Sequence, residues 1–142
     1  MSWLPKQNVL VPVDFSEQSI KAVDLALDLV EDTSHVHVVH VLPPVSYVEP
    51  GVVWIVDDDD ARRHRLKLAL KERLASPQYE KVQLHVLIGD PGETIADLAA
   101  ELKADLIVLP SHGRTGLKRL LIGSVAERVV RLAHCPVLVL RT

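Results

Sequence analysis

The segment from Leu109 to Ser124 holds the residue types best suited to binding an anion. It reads L-P-S-H-G-R-T-G-L-K-R-L-L-I-G-S, so an apolar run leads into a small polar loop and then into a helical pattern. Backbone N–H groups of such a loop can point at a phosphate, and the start of a helix adds partial positive charge. Gly113 and Gly116 permit backbone conformations that other residues resist. Gly123 falls inside the helical pattern, where glycine costs about 1 kcal/mol relative to alanine, which suggests close approach of a ligand or another helix.

Positive charge is concentrated in the same part of the chain. The formal net charge is -3, yet residues 111–142 contain six basic side chains and one acidic one, a net charge of +5. The remainder of the chain therefore carries -8. A basic segment on an acidic protein suggests a local anion site, although a solvated helix face gives the same pattern.

Two widespread phosphate-binding motifs are absent from the sequence. Neither G-x-x-x-x-G-K-[ST] nor G-x-G-x-x-G occurs, although Gly116, Leu117 and Lys118 resemble a fragment of the first. The P-loop and dinucleotide-binding classes are therefore excluded. The sequence also offers no P-loop lysine and no obvious general base, which argues against a phosphoryl-transfer enzyme.

A second candidate region is the hexapeptide V-P-V-D-F-S at residues 11–16. Asp14 stands where the first apolar run of the chain ends, and Ser16 is placed to cap the helix that follows. An acid at the end of a buried strand can either contact a ligand or simply form a turn.

Five short runs rich in β-branched residues alternate with four amphipathic patterns. The near-continuous apolar runs predict parallel strands buried on both faces, and apolar residues three and four positions apart predict helices. The predicted strands are Asn8 to Val13, Val36 to Leu42, Val82 to Ile88, Asp105 to Leu109 and Val137 to Leu140. The helical stripes consist of Ile20, Val23, Leu27 and Val30, then Leu66, Leu70 and Leu74, then Ile95, Leu98, Ala99 and Leu102, and finally Leu121, Val125, Val129 and Leu132.

This alternation predicts a single α/β domain over residues 1–142, with an open five-stranded parallel sheet and helices on both faces. In the order 3-2-1-4-5 the strand order reverses between the first and fourth strands. Ligands of open α/β sheets bind beyond the carboxyl ends of the strands at such a reversal. Asp14 and the segment from Pro110 to Gly116 end those two strands, so both candidate regions should meet in one crevice. The alternative is that both are ordinary turns.

Two acidic regions are explained as helix starts. Asp90, Pro91 and Glu93 occupy the cap, first and third positions of the third helix, so we interpret Asp90 as an N-cap rather than a catalytic acid. The run from Asp57 to Asp60 favours the positive end of the second helix. We predict no metal site there.

The histidines of the second strand and the single cysteine are also not expected to carry chemistry. His35 and His37 share one face of the strand and His40 lies on the other, so no metal site is predicted among them. Cys135 is expected to be a small buried hydrophobe.

The composition indicates a cytoplasmic protein. Apolar residues make up 48% of the chain, and one cysteine cannot form an internal disulfide. Residues 1–7 show no apolar run after a basic stretch, so no secretory signal is predicted. No apolar segment approaches the ~20 residues that a membrane span needs.

Four motifs give the sequence a resemblance to the universal stress protein family over nearly its whole length. They are V-P-V-D-F-S, G-D-P-G-E-T-I, S-H-G-x9-G-S-V-A-E-R-V-V and H-C-P-V-L-V-L. The family's nucleotide motif, G-x2-G-x9-G-[ST], matches with Gly113 and Gly123 as its second and third glycines and Ser124 after them. Pro110 stands at the first glycine position, where it removes an N–H donor and adds a ring that opposes close approach of a ligand.

The resemblance implies a Rossmann-like fold of the adenine nucleotide alpha hydrolase type and a bound adenine nucleotide, ATP or AMP, often with Mg²⁺. The residues implied for adenine and ribose lie at the ends of the first two strands, and those implied for the phosphates lie in the glycine loop and at the fourth helix. His112 could donate to a phosphate or be a plain loop residue. The expected nucleotide-binding residues are Pro12, Val13, Asp14, Val41, Leu109, Pro110, Ser111, His112, Gly113, Arg114, Gly123, Ser124 and Val125.

The resemblance favours a stress-response or signalling protein, not an enzyme, whose nucleotide occupancy biases a dimer or the surface for a protein partner. Two alternatives stay open. The first is an interaction protein of the same fold that no longer binds nucleotide tightly, for which Pro110 is the sign. The second is a slow ATPase. Nucleic acid is not an expected partner.

A homodimer is expected through the last strand, Val137 to Leu140, which lies at the edge of the predicted sheet. Pro136 stands only at the entrance of this strand and Arg141 only at its exit, so nothing in the middle protects the edge. Pairing with the same strand of a second copy would satisfy the exposed hydrogen-bonding groups. Many universal stress proteins dimerise in this way. The alternative is that the segment from Pro43 to Val56 covers the edge and keeps the chain monomeric.

Overall fold

Helices cover both faces of a five-stranded parallel sheet. The computed structural model describes residues 2–44, 58–111 and 122–141. Its strands are β1 (Val9–Pro12), β2 (Val36–Leu42), β3 (Gln83–Ile88), β4 (Leu106–Pro110) and β5 (Val137–Leu140). Its α-helices are α1 (Glu17–Asp28), α2 (Asp59–Arg73), α3 (Pro91–Glu101) and α4 (Ser124–Leu132). No helix in the described ranges is long and apolar enough to cross a membrane.

The strand order is β3-β2-β1-β4-β5 and all neighbouring strands are parallel, which confirms the predicted topology. The strand bounds agree with the predicted ones to within one residue. The central strand β1 pairs with β2 on one side and with β4 on the other. The carboxyl ends of β1 and β4 therefore flank the position at which the strand order reverses.

Alternating side chains of the central strands fill two separate cores. Val9 and Val11 of β1 pack on the face covered by α1 and α2, and Leu10 packs on the face covered by α3 and α4. All three side chains have no exposed surface. Burial of one such side chain contributes about 1.5–3 kcal/mol, so these strands fix the frame from which the loops at the carboxyl edge extend.

Three polar side chains cap the helices that begin at this edge. Ser16 accepts a hydrogen bond from the N–H of Ser19 at the start of α1, and Asp90 accepts one from the N–H of Glu93 at the start of α3. Both predicted caps are confirmed. Asp58 caps α2 in the same way. Each cap satisfies an N–H group that would otherwise have no partner, at a value of about 1 kcal/mol.

The prediction that Gly123 lies inside the fourth helix is wrong. Gly123 is the N-cap of α4, with an extended backbone (φ -64°, ψ 158°), and the helix begins at Ser124. Its N–H donates to the carbonyl oxygen of Ser111 at 2.5 Å, which ties the start of α4 to the end of β4. Glycine is well tolerated as an N-cap, so the cost of a glycine within a helix does not arise. Leu121, assigned to the same helical stripe, lies outside the described residues.

The first helix also ends earlier than its predicted apolar stripe. α1 stops at Asp28, whereas Val30 lies beyond the helix and forms an isolated bridge with Lys6. Val30 is partly buried and still packs against the core on this face, so the stripe identified a core-facing residue but not its conformation.

Candidate functional site

A cavity of about 320 Å³ opens at the carboxyl edge of the sheet, between the ends of β1 and β4. This volume lies within the ~300–1,000 Å³ range of small-molecule sites. Every predicted site residue in the described ranges lines it, namely Pro12, Val13, Asp14, Val41, Leu109, Pro110, Ser111, Gly123, Ser124 and Val125. Three others, His112, Gly113 and Arg114, lie outside the described residues.

Sequence reasoning missed part of the cavity wall. The additional lining residues come from α1, β2, α3 and α4, and they are Ser19, Val39, His40, Pro91, Ile95 and Ala126. The sequence did contain a signal that two of these residues lie at the cavity. α3 begins directly after β3, at the same edge of the sheet as the predicted site, so its first turn was placed to reach the cavity. Pro91 and Ile95 stand on that turn and the next one.

A tight turn after β1 places Asp14 at the cavity. The N–H of Val13 donates to the carbonyl oxygen of Val39 at 2.8 Å, which extends the pairing of β1 with β2. The Asp14 N–H then donates to the Ser19 hydroxyl at 3.3 Å, and Asp14 Oδ1 accepts from the N–H of Ser16 at 3.0 Å. Because Ser16 also caps α1, the carboxylate is tied to the start of that helix.

The start of α4 forms the opposite wall. Ser111 N–H donates to the carbonyl oxygen of Leu140 at 2.7 Å, and the Ser111 carbonyl accepts from Gly123. Gly123 has no side chain with which to cap the helix, and the first-turn residues Ser124, Val125 and Ala126 all line the cavity. The first-turn N–H groups and the helix dipole create a local positive potential there.

The middle of α4 is held against the start of α3 by a close contact. Arg128 Nε donates to Asp90 Oδ2 at 3.1 Å, the same oxygen that caps α3. A Cβ atom added to Gly92 would lie 2.7 Å from Cβ and Cγ of Arg128, so only glycine permits this approach. The contact fixes where α4 begins relative to the cavity.

Pro110 is the last residue of β4 and its side chain is buried at the cavity wall. It pairs in register with Leu140 of β5. Proline has no N–H, so this position offers no hydrogen-bond donor to a ligand.

Other reactive side chains lie away from the cavity. His37 Nδ1 and His85 Nε2 are 3.0 Å apart on β2 and β3, and burial lowers the pKa of both imidazoles. Burial, and then the charge of Asp105, raises the pKa of the half-buried Cys135 thiol, which makes it a poor nucleophile. Within the described ranges, no group of three or more His, Cys, Asp or Glu side chains is placed to hold a metal ion.

The fold and this cavity agree with what comparison with known proteins finds. The sequence profile of the universal stress protein family matches residues 6–141. Universal stress protein MJ0531 from Methanocaldococcus jannaschii is 33% identical over 139 residues, which cover 95% of this chain and 82% of that protein. The chain belongs to the universal stress protein family.

Solved structures share the fold over almost the whole chain. The structure of protein MJ0577 from Methanocaldococcus jannaschii superposes with a TM-score of 0.77 at 27% identity, covering 98% of both chains. Two further universal stress proteins, both 24% identical, were solved with nucleotides. One is in complex with cAMP (TM-score 0.60, 96% of this chain and 97% of that one), and one, from Archaeoglobus fulgidus, is in complex with dAMP (TM-score 0.63, 98% of both chains).

Proposed function

We propose that the cavity between β1 and β4 binds an adenine nucleotide, ATP or AMP. The observation that carries this proposal is that separate segments of the chain meet at one cavity. Residues from the end of β1, the ends of β2 and β4 and the start of α4, which are far apart in the sequence, line one cavity at the point where the strand order reverses. This is the position at which open α/β sheets hold nucleotides.

The cavity lining offers groups suited to each part of a nucleotide. Partly exposed apolar side chains of the lining, among them Pro12, Val41 and Pro91, offer a surface for a flat base. Asp14 also lines the cavity, and its carboxylate can accept hydrogen bonds from ribose hydroxyls. The backbone N–H groups at Ser124 and Val125, with the dipole of α4, suit the phosphates. The complexes of related proteins with cAMP and dAMP support an adenine nucleotide in this role.

We propose a binding protein rather than an enzyme. The cavity offers one carboxylate, Asp14, and one imidazole, His40, among its described residues, and the sequence holds no P-loop lysine of the kind that a phosphoryl-transfer site uses. ATP would bring Mg²⁺ with it on its phosphates. Any ATP hydrolysis should be slow, below the ~1 s⁻¹ lower end of typical enzymes.

We also propose a homodimer through β5, whose stability depends on the nucleotide. β5 pairs with β4, and among the described residues no strand covers its other edge. Val130 and Leu132 of α4, the preceding helix, are 48% and 44% exposed. Because α4 also carries the cavity residues Ser124 and Val125, occupancy can act on this surface through one rigid element.

Calorimetry with ATP, ADP and AMP, each with Mg²⁺, tests the nucleotide proposal, with GTP as the matched ligand control. Heat of binding for one or more adenine nucleotides, and weaker heat for GTP, is the expected result. Mass spectrometry of the purified protein is expected to detect a retained adenine nucleotide. No heat at millimolar concentrations, and no retained nucleotide, would favour an interaction protein of the same fold, which the buried Pro110 would then explain.

A further inference from the structure

His40 stands near the carboxyl end of β2, beside the turn that follows β1. Its Nδ1 lies 2.7 Å from the carbonyl oxygen of Val13. A carbonyl only accepts hydrogen bonds, so Nδ1 must carry the proton and donate it. Pro12 pairs in register with Val39, which precedes His40. The imidazole therefore continues the attachment of the first strand to the second, one step beyond the last backbone pair.

The same imidazole contacts the far side of the turn. The rings of His40 and Phe15 meet edge to face, with centroids 5.0 Å apart and planes at 71°. Phe15 has φ 69°, in the left-handed region that bulky side chains rarely adopt. Such a conformation persists only when surrounding contacts hold it, and it is concentrated at functional sites. The His40 ring is one of the contacts that hold Phe15 there.

Asp14 lies between the two points that His40 holds. Val13 precedes it and is fixed through its carbonyl oxygen, and Phe15 follows it and is fixed through its ring. The hydrogen bonds of Asp14 to Ser16 and Ser19 lie within the turn and the start of α1, so they move with this segment. His40 connects the segment to the sheet, and it does so beyond the backbone hydrogen bond from the Val13 N–H to the Val39 carbonyl oxygen.

We propose that His40 is a positioning residue of the nucleotide site, which sets the place of Asp14 in the cavity wall through Val13 and Phe15. The inference rests on the proposed function. It assigns His40 a role that requires a donor at the position of Nδ1 and does not require a charge.

Two substitutions separate the donor from the bulk of the side chain. His40→Asn places an amide N–H close to the position of Nδ1, whereas His40→Leu fills the space and leaves the Val13 carbonyl without this donor. His40→Leu is expected to weaken ATP or AMP binding about tenfold, whereas His40→Asn, which keeps the donor but lacks the ring that contacts Phe15, is expected to lose clearly less, about threefold. His64→Leu, on the exposed surface of α2, is the control and should change nothing.

A second readout does not depend on nucleotide. Amide hydrogen exchange at Asp14 and Ser16 should accelerate about tenfold in His40→Leu and clearly less in His40→Asn. Exchange at the core amides of Val38 and Val108 should be unchanged in both variants. If the wild type binds no nucleotide, the proposed function fails, while exchange at the turn still decides whether His40 holds it. The inference is overturned if His40→Leu leaves affinity and exchange unchanged, or if both variants lose affinity equally with faster exchange throughout the core.

A third variant keeps the test decisive if His40→Leu does not fold. Phe15→Gly removes the ring contact, and glycine adopts φ 69° without steric cost. The turn is then released from one of its two attachments to His40. Weaker nucleotide binding with an intact fold is expected, and unchanged binding and unchanged exchange at Asp14 would contradict the positioning role.

Discussion

Pro110 is the residue at which the cavity departs from the nucleotide motif of the family. It is buried, lines the cavity and has no N–H to offer. A glycine here would remove the ring and restore one donor beside the proposed phosphate position. The price of that change is backbone entropy, since glycine in a strand costs about 0.5–1 kcal/mol of stability.

Pro110→Gly is therefore expected to tighten ATP binding about tenfold, the value of one added hydrogen bond to a charged group. Calorimetry on the folded variant measures this change. Pro136→Gly, an exposed proline before β5 and outside the cavity wall, is the matched control and should leave the affinity unchanged. Equal or weaker affinity in Pro110→Gly would show that this protein does not use a glycine at the first motif position.

His37 and His85 make a second prediction at the residue scale. His37 is only 6% exposed, and its pKa is lowered first by burial and then by the neighbouring His85. The pKa of His85 is lowered by burial and then by Lys67. Both imidazoles thus resist protonation in the folded state, whereas in the unfolded chain they take up protons near a pKa of about 6.5.

The free energy of unfolding should consequently fall as the pH drops below about 6.5, because the unfolded state then binds more protons than the native state. Each histidine contributes a slope of at most about 1.4 kcal/mol per pH unit. Urea unfolding at about pH 7.5 and about pH 5.5 should show a smaller pH dependence for His37→Gln than for the wild type. His64→Gln serves as the exposed control, and an undiminished slope in His37→Gln would contradict the assignment.

At the scale of elements, the junction of α3 and α4 determines where the proposed phosphate position lies. Asp90 Oδ2 accepts from the Glu93 N–H and from Arg128 Nε, both at 3.1 Å, so one oxygen caps α3 and anchors α4. Both side chains of the ion pair are about half exposed, at 49% and 51%, so the pair itself adds little stability. The N-cap hydrogen bond of Asp90 contributes more to the free energy of unfolding than the ion pair with Arg128 does.

Asp90→Ala is expected to lower the free energy of unfolding by about 1–2 kcal/mol, because the cap and the ion pair are lost together. Asp90→Asn keeps a good cap and loses only the charge, so its cost should stay below about 1 kcal/mol. Urea unfolding curves distinguish the two variants. Asp97→Ala, an exposed change on the same helix, should have little effect. Equal losses in the Ala and Asn variants would mean that the ion pair outweighs the cap.

At the scale of the whole molecule, β5 and α4 form an apolar surface at one of the two edges of the sheet. β5 lies at the edge of the sheet, and its four residues remain half-buried. The apolar side chains of Val130 and Leu132 are exposed on the neighbouring α4. Most of the segment from Pro43 to Val56, the alternative cover for this edge, lies outside the described residues.

Sedimentation equilibrium is expected to find a dimer of the wild type at micromolar concentration. Val139→Pro removes an N–H from the middle of β5, and Leu138→Lys adds a charge there, so both should yield monomers. Leu68→Lys, the same type of change at an exposed position of α2, should leave the dimer intact. A monomeric wild type, or β5 variants that remain dimeric, would rule out this interface.

The sequence by itself determined the architecture and most of the cavity wall. Continuous apolar strands and amphipathic helices in strict alternation leave few ways to bury both faces of a sheet, so a parallel sheet with helices on both faces followed. Given the order 3-2-1-4-5, Asp14 and Ser111 were then expected at one crevice, and both line the cavity. The caps at Ser16 and Asp90 are local, because each depends on residues within one helical turn. These features are encoded over short distances along the chain.

Only the tertiary structure decided the features that depend on contacts between distant segments. Gly123 matched a helical pattern, yet its hydrogen bond to Ser111, twelve residues earlier, makes it a cap. His40 stood on a strand with no visible role until the fold placed its Nδ1 beside Val13. Periodicity records which side of an element is buried, but not which atom of another element it meets, because that depends on how the strands and helices pack together in three dimensions.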